Sequence, residues 1–450
     1  MGIAIFLPLV LSIIGILLAM VIAVLIDREP SVETLVLSAT FYITLGGIIV
    51  AYYAWLVSLR SLLGKGAIDK EDLPRDGLLS RVSVVVPVHN EGAIVSRTLE
   101  ALVEQDYPKE FYEVVVVDDA SADATSSTIS EYAKKHPSII RVMRHDINKG
   151  KLAAITTGVS VSKGEVVVIL DADTIPEPHA VRRLVSRLSS EEDLVAVSGN
   201  IMLEGTESFL TRMQRIEYII SLGIGRFVDQ WYNRVNPLVS GALSAFRKNF
   251  IYHTLVERKY TIENPFMTVA EDLELTLHAW LQGFRTGYEH RAVAYTKPPS
   301  NLKWLYSQRI RWYSSGLEAV FRYFVRRWGY FKKGYKALIA RILFLEYFLP
   351  IMTFFSYIFL ILAMFFSYLG INIFNAPALE YTSVFIAAYV SSVLLGSLTV
   401  YYALRIDGTY TSFSMMVLDV LLFVLFYNLL QIIVKVDATI RTIFRAKVKW

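Results

Sequence analysis

No cysteine occurs in the 450 residues, which excludes disulfides, thiolate metal sites and a cysteine nucleophile. Charge of one sign is scarce too: the formal net charge is only +4, too mild over this length for a chain that binds nucleic acid. Internal repeats and low-complexity tracts are missing. No basic residue precedes the first apolar run and no small-residue cleavage pattern follows it, so it reads as an anchor and not as a cleaved signal peptide. What the chain has in excess is apolar residues, 54% of the total with a mean hydropathy of +0.44, well above a soluble average. The excess lies at the two ends; the middle is ordinary in composition.

Ile3 to Ile26 is a nearly unbroken apolar run, and a second extends from about Leu35 to Leu59. Each is long enough to cross a bilayer. Arg60 and Lys65 follow, then a polar linker with Lys70, Glu71, Asp72 and Arg75. Basic residues mark the cytoplasmic side of a span. The same bias returns at Arg309, Arg311, Arg322, Arg326, Arg327, Lys332, Lys333 and Lys336, so both flanks place the middle in the cytosol of a multi-pass plasma-membrane protein. Three further apolar stretches lie near Ile342–Leu369, Tyr381–Leu404 and Phe413–Val434. The expected organisation is two spanning helices in 1–63, a linker in 64–79, a central domain in 80–300, amphipathic interface helices in 301–336, about three spanning helices in 337–436 and a basic tail in 437–450. That odd count would put the C-terminus outside, whereas Arg441, Arg445, Lys447 and Lys449 prefer the cytoplasm. Either one stretch lies in the interface or re-enters, or the tail breaks the rule. Glu346, Asp419, Asn428 and Gln431 are costly in lipid and are expected to face a bundle interior. There they either line a polymer path, with Tyr347 and Tyr427 as stacking faces, or hydrogen-bond helix to helix.

Residues 80 to about 300 alternate short apolar runs with helical patterns. Val82–Val86, Val114–Val117 and Val166–Leu170 read as strands, with Glu100–Gln105, Ser126–Lys135 and Lys151–Val161 in helical stretches between them. Such alternation implies an α/β domain, Rossmann-like, with a mostly parallel sheet and helices on both faces. Ligands of these sheets gather beyond the carboxyl ends of the strands. Val166–Leu170 is followed at once by Asp171-Ala172-Asp173, two carboxylates that can hold a hard divalent cation completed by phosphate and water. The first strand runs into Pro87-Val88-His89-Asn90-Glu91, a turn whose backbone N–H groups and following helix suit an anion or a nucleotide. The second ends in Asp118-Asp119, able to accept from a base N–H and ribose hydroxyls or, equally, to cap a helix. Lys151 opens a helix and can neutralise a diphosphate, or simply be solvated there.

Ser240-Gly241-Ala242 lacks bulk and either lets a substrate approach the backbone or forms a tight turn. Ala270-Glu271-Asp272 opens a helix whose dipole favours acids in its first turn; the sharper reading makes Asp272 a general base. Gln308-Arg309-Ile310-Arg311-Trp312 lies on an amphipathic basic-aromatic stretch, Leu302 to Tyr330, of the kind that rests in a membrane interface. Gln308, Arg311 and Trp312 share one helical face, where Arg can compensate a leaving diphosphate and Trp can stack on a sugar.

In order, Asp118-Asp119, Asp171-Ala172-Asp173, Ser240-Gly241, Glu271-Asp272 and Gln308-Arg309-Ile310-Arg311-Trp312 resemble the motifs of the processive family 2 glycosyltransferases, the cellulose, chitin, hyaluronan and poly-N-acetylglucosamine synthases. The poly-N-acetylglucosamine type is the most similar. The resemblance implies a GT-A fold embedded between transmembrane helices and an inverting β-glycosyl transfer. The donor is a UDP-sugar, UDP-N-acetylglucosamine before UDP-glucose, and the acceptor a growing polysaccharide. Asp118, Asp119 and Lys151 would then hold the donor with Pro87, Asn90 and Glu91, and Asp171 and Asp173 would bind Mg²⁺ or Mn²⁺. Arg311 would face the leaving UDP, Asp272 would take the acceptor proton, and Ser240, Gly241, Ala242, Glu271, Gln308 and Trp312 would border the acceptor. Ala270 departs from the Thr or Gly often found before the acid pair, with both acids still in place. Two rivals remain: single transfer to a lipid such as a polyprenyl phosphate, diacylglycerol or ceramide, since glucosylceramide synthases carry a similar motif, and a channel or scaffold that binds nucleotide sugar without catalysis.

Overall fold

The computed structural model describes residues 80–205, 208–257, 270–369 and 412–444, together with Ser397, Val400, Tyr401 and Leu404. The expected spans in 1–63, the linker in 64–79, most of Tyr381–Leu404 and the end of the basic tail lie outside the described residues. The chain divides into two compact units, one of residues 71–350 with 433–450, the other of 1–70 with 351–432.

The first unit begins β1 (Val82–Val88), α1 (Val95–Val103), β2 (Tyr112–Asp118), α2 (Thr125–Lys135), β3 (Ile140–Arg144), α3 (Lys151–Val161) and β4 (Val166–Leu170). There follow β5 (Ile175–Pro176), α4 (Ala180–Ser189), β6 (Leu194–Leu203), α5 (Phe209–Tyr218), α6 (Arg226–Asn233), β7 (Leu243–Arg247), α7 (Lys248–Tyr252), α8 (Glu271–Leu281) and β8 (Arg285–Thr296). The strands form one sheet in the order β3-β2-β1-β4-β7-β6-β8-β5. Valine runs make β1, β2 and β4 because β-branched side chains suit a pleated surface covered on both faces. Alternation divides them: Val84, Val86, Val114, Val116 and Val168 pack into one core layer with α1, α2 and α4. Val85, Val115, Val117, Val167 and Ile169 pack into the other with α3, α7 and α8. Helix α3 lies so close that a Cβ on Gly158 would stand 2.3 Å from Val85 Cγ1, so only glycine fits there.

The sheet is parallel from β3 through β2 and β1 to β4, as the alternation implied. Beyond β4 it is mixed: β7 runs antiparallel to both β4 and β6, and β6 pairs parallel with β8. Val88 pairs with Asp118 and Val85 with Ile169, so β1, β2 and β4 deliver their following residues to one edge. One helix differs from expectation. It occupies Val95–Val103, and Gln105 lies beyond its end, its amide donating to Ala101 O at 3.1 Å and Glu177 O at 2.9 Å.

Helix α9 covers Leu302–Arg327, close to the expected amphipathic stretch. α10 (Lys333–Leu343) and α11 (Leu349–Tyr368) follow, joined by a π-helical turn at Phe344–Phe348. Later come α12 (Phe413–Leu422) and α13 (Asn428–Ile443), joined by a like turn at Phe423–Tyr427. Gly334–Phe355 and Phe413–Ile443 are long and apolar enough to cross a membrane. Of the polar residues expected to point inward, Asp419 and Gln431 are buried. Asn428 is exposed, and so is Glu346, which pairs with Lys435 at 2.6 Å.

Candidate active site

The β1 edge carries Pro87, whose backbone pairs with Val117. After it Asn90 adopts a left-handed conformation, φ 54°, tolerated because its short side chain bonds locally. Its N–H donates to Ser121 Oγ at 3.0 Å and its Oδ1 accepts from Ala122 N at 2.9 Å. His89 Nδ1 donates to Asp119 O at 2.8 Å, leaving Nε2 to accept from Asn90 and Asn148 amides at 3.0 and 3.1 Å. The loops after β1, β2 and β3 are thereby tied into one wall.

Asp118 and Asp119 at the end of β2 are buried, 1% and 3% exposed. Asp118 accepts from Ser121 N at 2.9 Å and from the Ser126 hydroxyl, and Arg144 Nε lies 3.7 Å away. Asp119 accepts from Lys149 N at 2.9 Å, Gly150 N at 2.7 Å and His145 Nδ1 at 2.7 Å, with Thr157 Oγ1 2.9 Å from His145 Nε2. Burial opposes ionisation of both, yet these bonds win and hold each below the usual carboxylate range. Most of their acceptor capacity is spent on the protein, and Asp119 thereby fixes the backbone just ahead of Lys151.

Lys151, the first residue of α3, is the joint of the site. Its Nζ lies 2.6 Å from Asp171 Oδ1 and 3.2 Å from Glu271 Oε1, linking the end of β4 to the start of α8. Burial works against its charge, but Asp171, Glu271 and Asp272 outweigh it and raise its pKa. Asp272 Oδ2 accepts from Gly241 N at 3.3 Å and Oδ1 from Leu273 N at 2.7 Å. Burial first, and Glu271 next, push Asp272 up to about 6, near the operating range of a general base. A Cβ on Gly241 would meet Lys151 Nζ at 3.2 Å and Glu271 Oε1 at 3.4 Å. Ser240 N donates to Ser198 Oγ at 3.3 Å, and Ala242 O accepts from Asp171 N at 3.2 Å.

Burial also raises Asp171, with Asp173 and Glu271 adding to it against Lys151. Glu91 is raised by burial and then by Asp173, Asp123 and Asp171. Hard carboxylate oxygens in excess over one lysine fit a divalent cation in charge and chemistry. No cluster of three or more His, Asp or Glu suited to a metal occurs among the described residues, so Asp171 and Asp173 would leave the remaining positions to phosphate and water. Ala172, between them, turns its methyl into the core while its carbonyl accepts from Thr98 Oγ1 at 2.7 Å.

The aromatic side of the site holds residues the sequence did not single out. Arg309, 0% exposed, grips Glu217 of α5 through Nε at 3.0 Å and Nη2 at 2.7 Å and donates to Gln308 Oε1. Its guanidinium stands 4.3 Å from the ring centre of Trp312, a cation–π distance, and 5.9 Å from that of Tyr218. Trp312 and Tyr218 lie 6.5 Å apart, and Trp312 is 39% exposed. Asp173 and Arg309 both act electrostatically on Tyr218, which connects this aromatic group to the acid cluster. Arg311 is exposed, and its guanidinium makes no ion pair among the described residues.

Residues 83–255 match the model described as glycosyl transferase family 2. The probable glycosyltransferase YdaM of Bacillus subtilis is 30% identical over 58% of this chain and 60% of its own length. The poly-beta-1,6-N-acetyl-D-glucosamine synthase of Staphylococcus epidermidis is 26% identical over 73% of this chain and 75% of its own. A mannosyltransferase of Pyrobaculum calidifontis, solved with GDP-mannose and Mn²⁺, superposes with a TM-score of 0.54 at 19% identity, covering 89% of this chain and 98% of that one; the likeness is one of fold. Residues 83–255 thus form a domain that matches glycosyl transferase family 2, and this domain is that of a glycosyltransferase.

Proposed function

We propose that this chain is a membrane-integrated, inverting β-glycosyltransferase that extends a polysaccharide from a cytosolic UDP-sugar, with UDP-N-acetylglucosamine favoured and UDP-glucose next. The observation that carries the reading is the Lys151 bridge from Asp171 to Glu271, which brings the diphosphate side and the base Asp272 to one lysine. The likeness to poly-N-acetylglucosamine synthases supports the choice of polymer and sugar, and the two apolar helical runs support the membrane setting.

The wall of Pro87, Asn90, Glu91, Asp118 and Asp119 shapes the nucleotide end, and Lys151 meets the diphosphate. Asp171 and Asp173 would hold Mg²⁺ or Mn²⁺, which supplies charge compensation for the departing phosphate. Asp272 accepts the proton of the acceptor hydroxyl as that oxygen bonds to the anomeric carbon and the carbon–phosphate oxygen bond breaks, releasing UDP with inversion. Ser240, Gly241 and Ala242 border the acceptor beside the base. Trp312, held by Arg309, offers its exposed face to the acceptor sugar, with Gln308 fixed to the same arginine. Membranes carrying the protein, incubated with labelled UDP-N-acetylglucosamine, should release UDP and form a product that stays out of organic solvent. A product that extracts into solvent would replace the polymer with a lipid acceptor, and UDP release unaltered by Asp272→Asn would remove the assigned base.

A further inference from the structure

Arg226 at the start of α6 is 4% exposed, and its one hydrogen bond among the described residues runs from Nη1 to Ser198 Oγ at 3.2 Å. It forms no ion pair among the described residues. A guanidinium carries five N–H donors, so most of this one goes unanswered. A buried cation with no ion pair is costly, and an anionic ligand would offset that cost.

The surroundings say where that ligand sits. Ser198 Oγ also accepts from Ser240 N at 3.3 Å, and the next residue, Gly241, donates to Asp272 at 3.3 Å. Arg226 is thus connected by successive contacts to the acceptor side of the base. The groups acting on it electrostatically are Tyr288, Asp272 and Tyr218. Tyr288 is 3% exposed, its hydroxyl has no hydrogen-bond partner among the described residues, and burial keeps it protonated. Ser198 spends its own proton on Gly199 O at 3.2 Å. What remains to be met is therefore a set of donors: guanidinium N–H groups and a phenol O–H.

We infer that Arg226 and Tyr288 form a subsite for an oxyanion, a carboxylate or phosphate, carried by the acceptor next to the hydroxyl that Asp272 deprotonates. This rests on the glycosyl-transfer reading. An oxyanion offers several lone pairs to unpaired donors and cancels the buried charge, which a neutral sugar hydroxyl cannot do. The source is either a uronate in the glycan or the phosphate of a lipid-linked primer.

The test uses the full chain in detergent and three acceptor probes: an N-acetylglucosamine oligosaccharide, a glucuronate-ended oligosaccharide and a short-chain polyprenyl phosphate bearing one sugar. One anionic probe should stimulate UDP release, with its KM raised at least tenfold by Arg226→Gln and partly restored by Arg226→Lys, while the KM for UDP-sugar moves less than twofold. Which anionic probe responds distinguishes uronate from lipid phosphate. The same probe should raise the Tm of the wild type and not that of Arg226→Gln, a readout independent of turnover. Stimulation by the neutral probe alone, or anionic binding equal in wild type and variant, overturns the subsite. An Arg226→Gln variant with a lower ligand-free Tm and a raised donor KM overturns it as well, making Arg226 a structural residue. Absence of UDP release from the wild type with every UDP-sugar sinks the catalytic reading instead, and the Tm readout still decides the subsite.

Discussion

Asp118 and Asp119 at the end of β2, and Asp171, Glu271 and Asp272 around Lys151, are carboxylates joined through the Lys149–Lys151 segment and held in opposite ways. The β2 pair is answered by hydrogen bonds: Ser121, Ser126, Lys149, Gly150 and His145 surround it, and both members ionise more readily than usual. The Lys151 group is buried first and crowded with like charge second, so Asp171 and Asp272 ionise less readily. The signs for stability differ accordingly. The lowered pair supports the fold above the ordinary carboxylate pKa of about 4 and loses that support as pH falls through its folded values. The raised Asp272 favours the fold only while protonated, so stability declines as pH climbs from about 4 through about 6. The first arrangement holds a wall in place; the second stores unmet negative charge that a divalent cation and an acceptor proton can relieve.

Replacing Asp272 by Asn should test the contrast most severely. Loss of a general base costs roughly 10²–10⁴-fold, so kcat is expected to drop about a thousandfold while Tm changes little, because removal of the raised carboxylate offsets the N–H₂ that asparagine turns toward the Gly241 N–H. Wild-type kcat should rise with pH through about 6, and that limb should vanish in the variant. A fall in Tm on Asp272→Asn as large as that on Asp119→Asn would break the comparison, since the charge would then have been a stabilising one.

Lys151→Met removes the cation and leaves its acids facing one another. Lys151 and Asp171 are partly exposed, 39% and 28%, so solvent screens the loss and the cost to stability is about 1 kcal/mol. The kinetic cost should be larger, about 10–100-fold in kcat/KM, or ~1.4–2.8 kcal/mol, carried mainly by the KM for the UDP-sugar. Raising Mn²⁺ should recover part of it, because a divalent cation answers the same acids. Titration of UDP release against UDP-sugar at two Mn²⁺ concentrations reads this directly; a loss indifferent to Mn²⁺ would separate the lysine from the acids.

Much of the contrast lies in plain view along the chain. The valine runs place β1, β2 and β4, and their parallel pairing sends Asp118 and Asp171 to the same edge. The antiparallel β7 and the strands β6 and β8 were harder to see, because Ser198, Gly199 and Asn200, or Ser244, interrupt apolar alternation whose burial comes from the neighbouring strands. Nor does a pair such as Asp118-Asp119 disclose that Asp119 faces inward onto the backbone of Lys149 and Gly150, since backbone N–H directions have no signature in residue type. Arg309 reads as one more basic residue on an interface helix. Its inward direction is set by Glu217, 92 residues earlier. The sequence pattern marks Gln308, Arg311 and Trp312 as one face, and the arginine that fixes Trp312 lies between them.

Asp119→Asn probes the answered side. The isosteric amide keeps one acceptor oxygen but turns an N–H₂ toward donors, leaving a buried donor unmet at about 1–3 kcal/mol. Tm should fall, and by more than on Asp272→Asn, where loss of a raised carboxylate offsets the same penalty. The KM for UDP-sugar should rise about tenfold as the backbone before Lys151 loosens, with kcat nearly unchanged. A fall in kcat with KM intact would mean that Asp119 acts on the reaction itself and not through the wall.

The smallest change tests where the two arrangements meet. Gly241 has a negative φ, unlike Gly150, Gly205 and Gly283, so alanine there meets no backbone penalty, only its neighbours. The added Cβ would stand 3.2 Å from Lys151 Nζ, 3.4 Å from Glu271 Oε1 and 3.8 Å from Asp272 Cβ. The tightest of these contacts is the far end of a flexible side chain, which can yield by a few tenths of an ångström, so Tm should move by no more than about 2 °C, in line with a stability change of ~0.5 kcal/mol. Yielding, however, draws Lys151 from its place between Asp171 and Glu271. Gly241→Ala should therefore raise the UDP-sugar KM about threefold and shift the acid limb of kcat to higher pH, because Asp272 loses part of the cation that favours its ionised form. An unshifted limb with a raised KM would show that Lys151 serves the diphosphate alone and that the base is set by its burial and by Glu271.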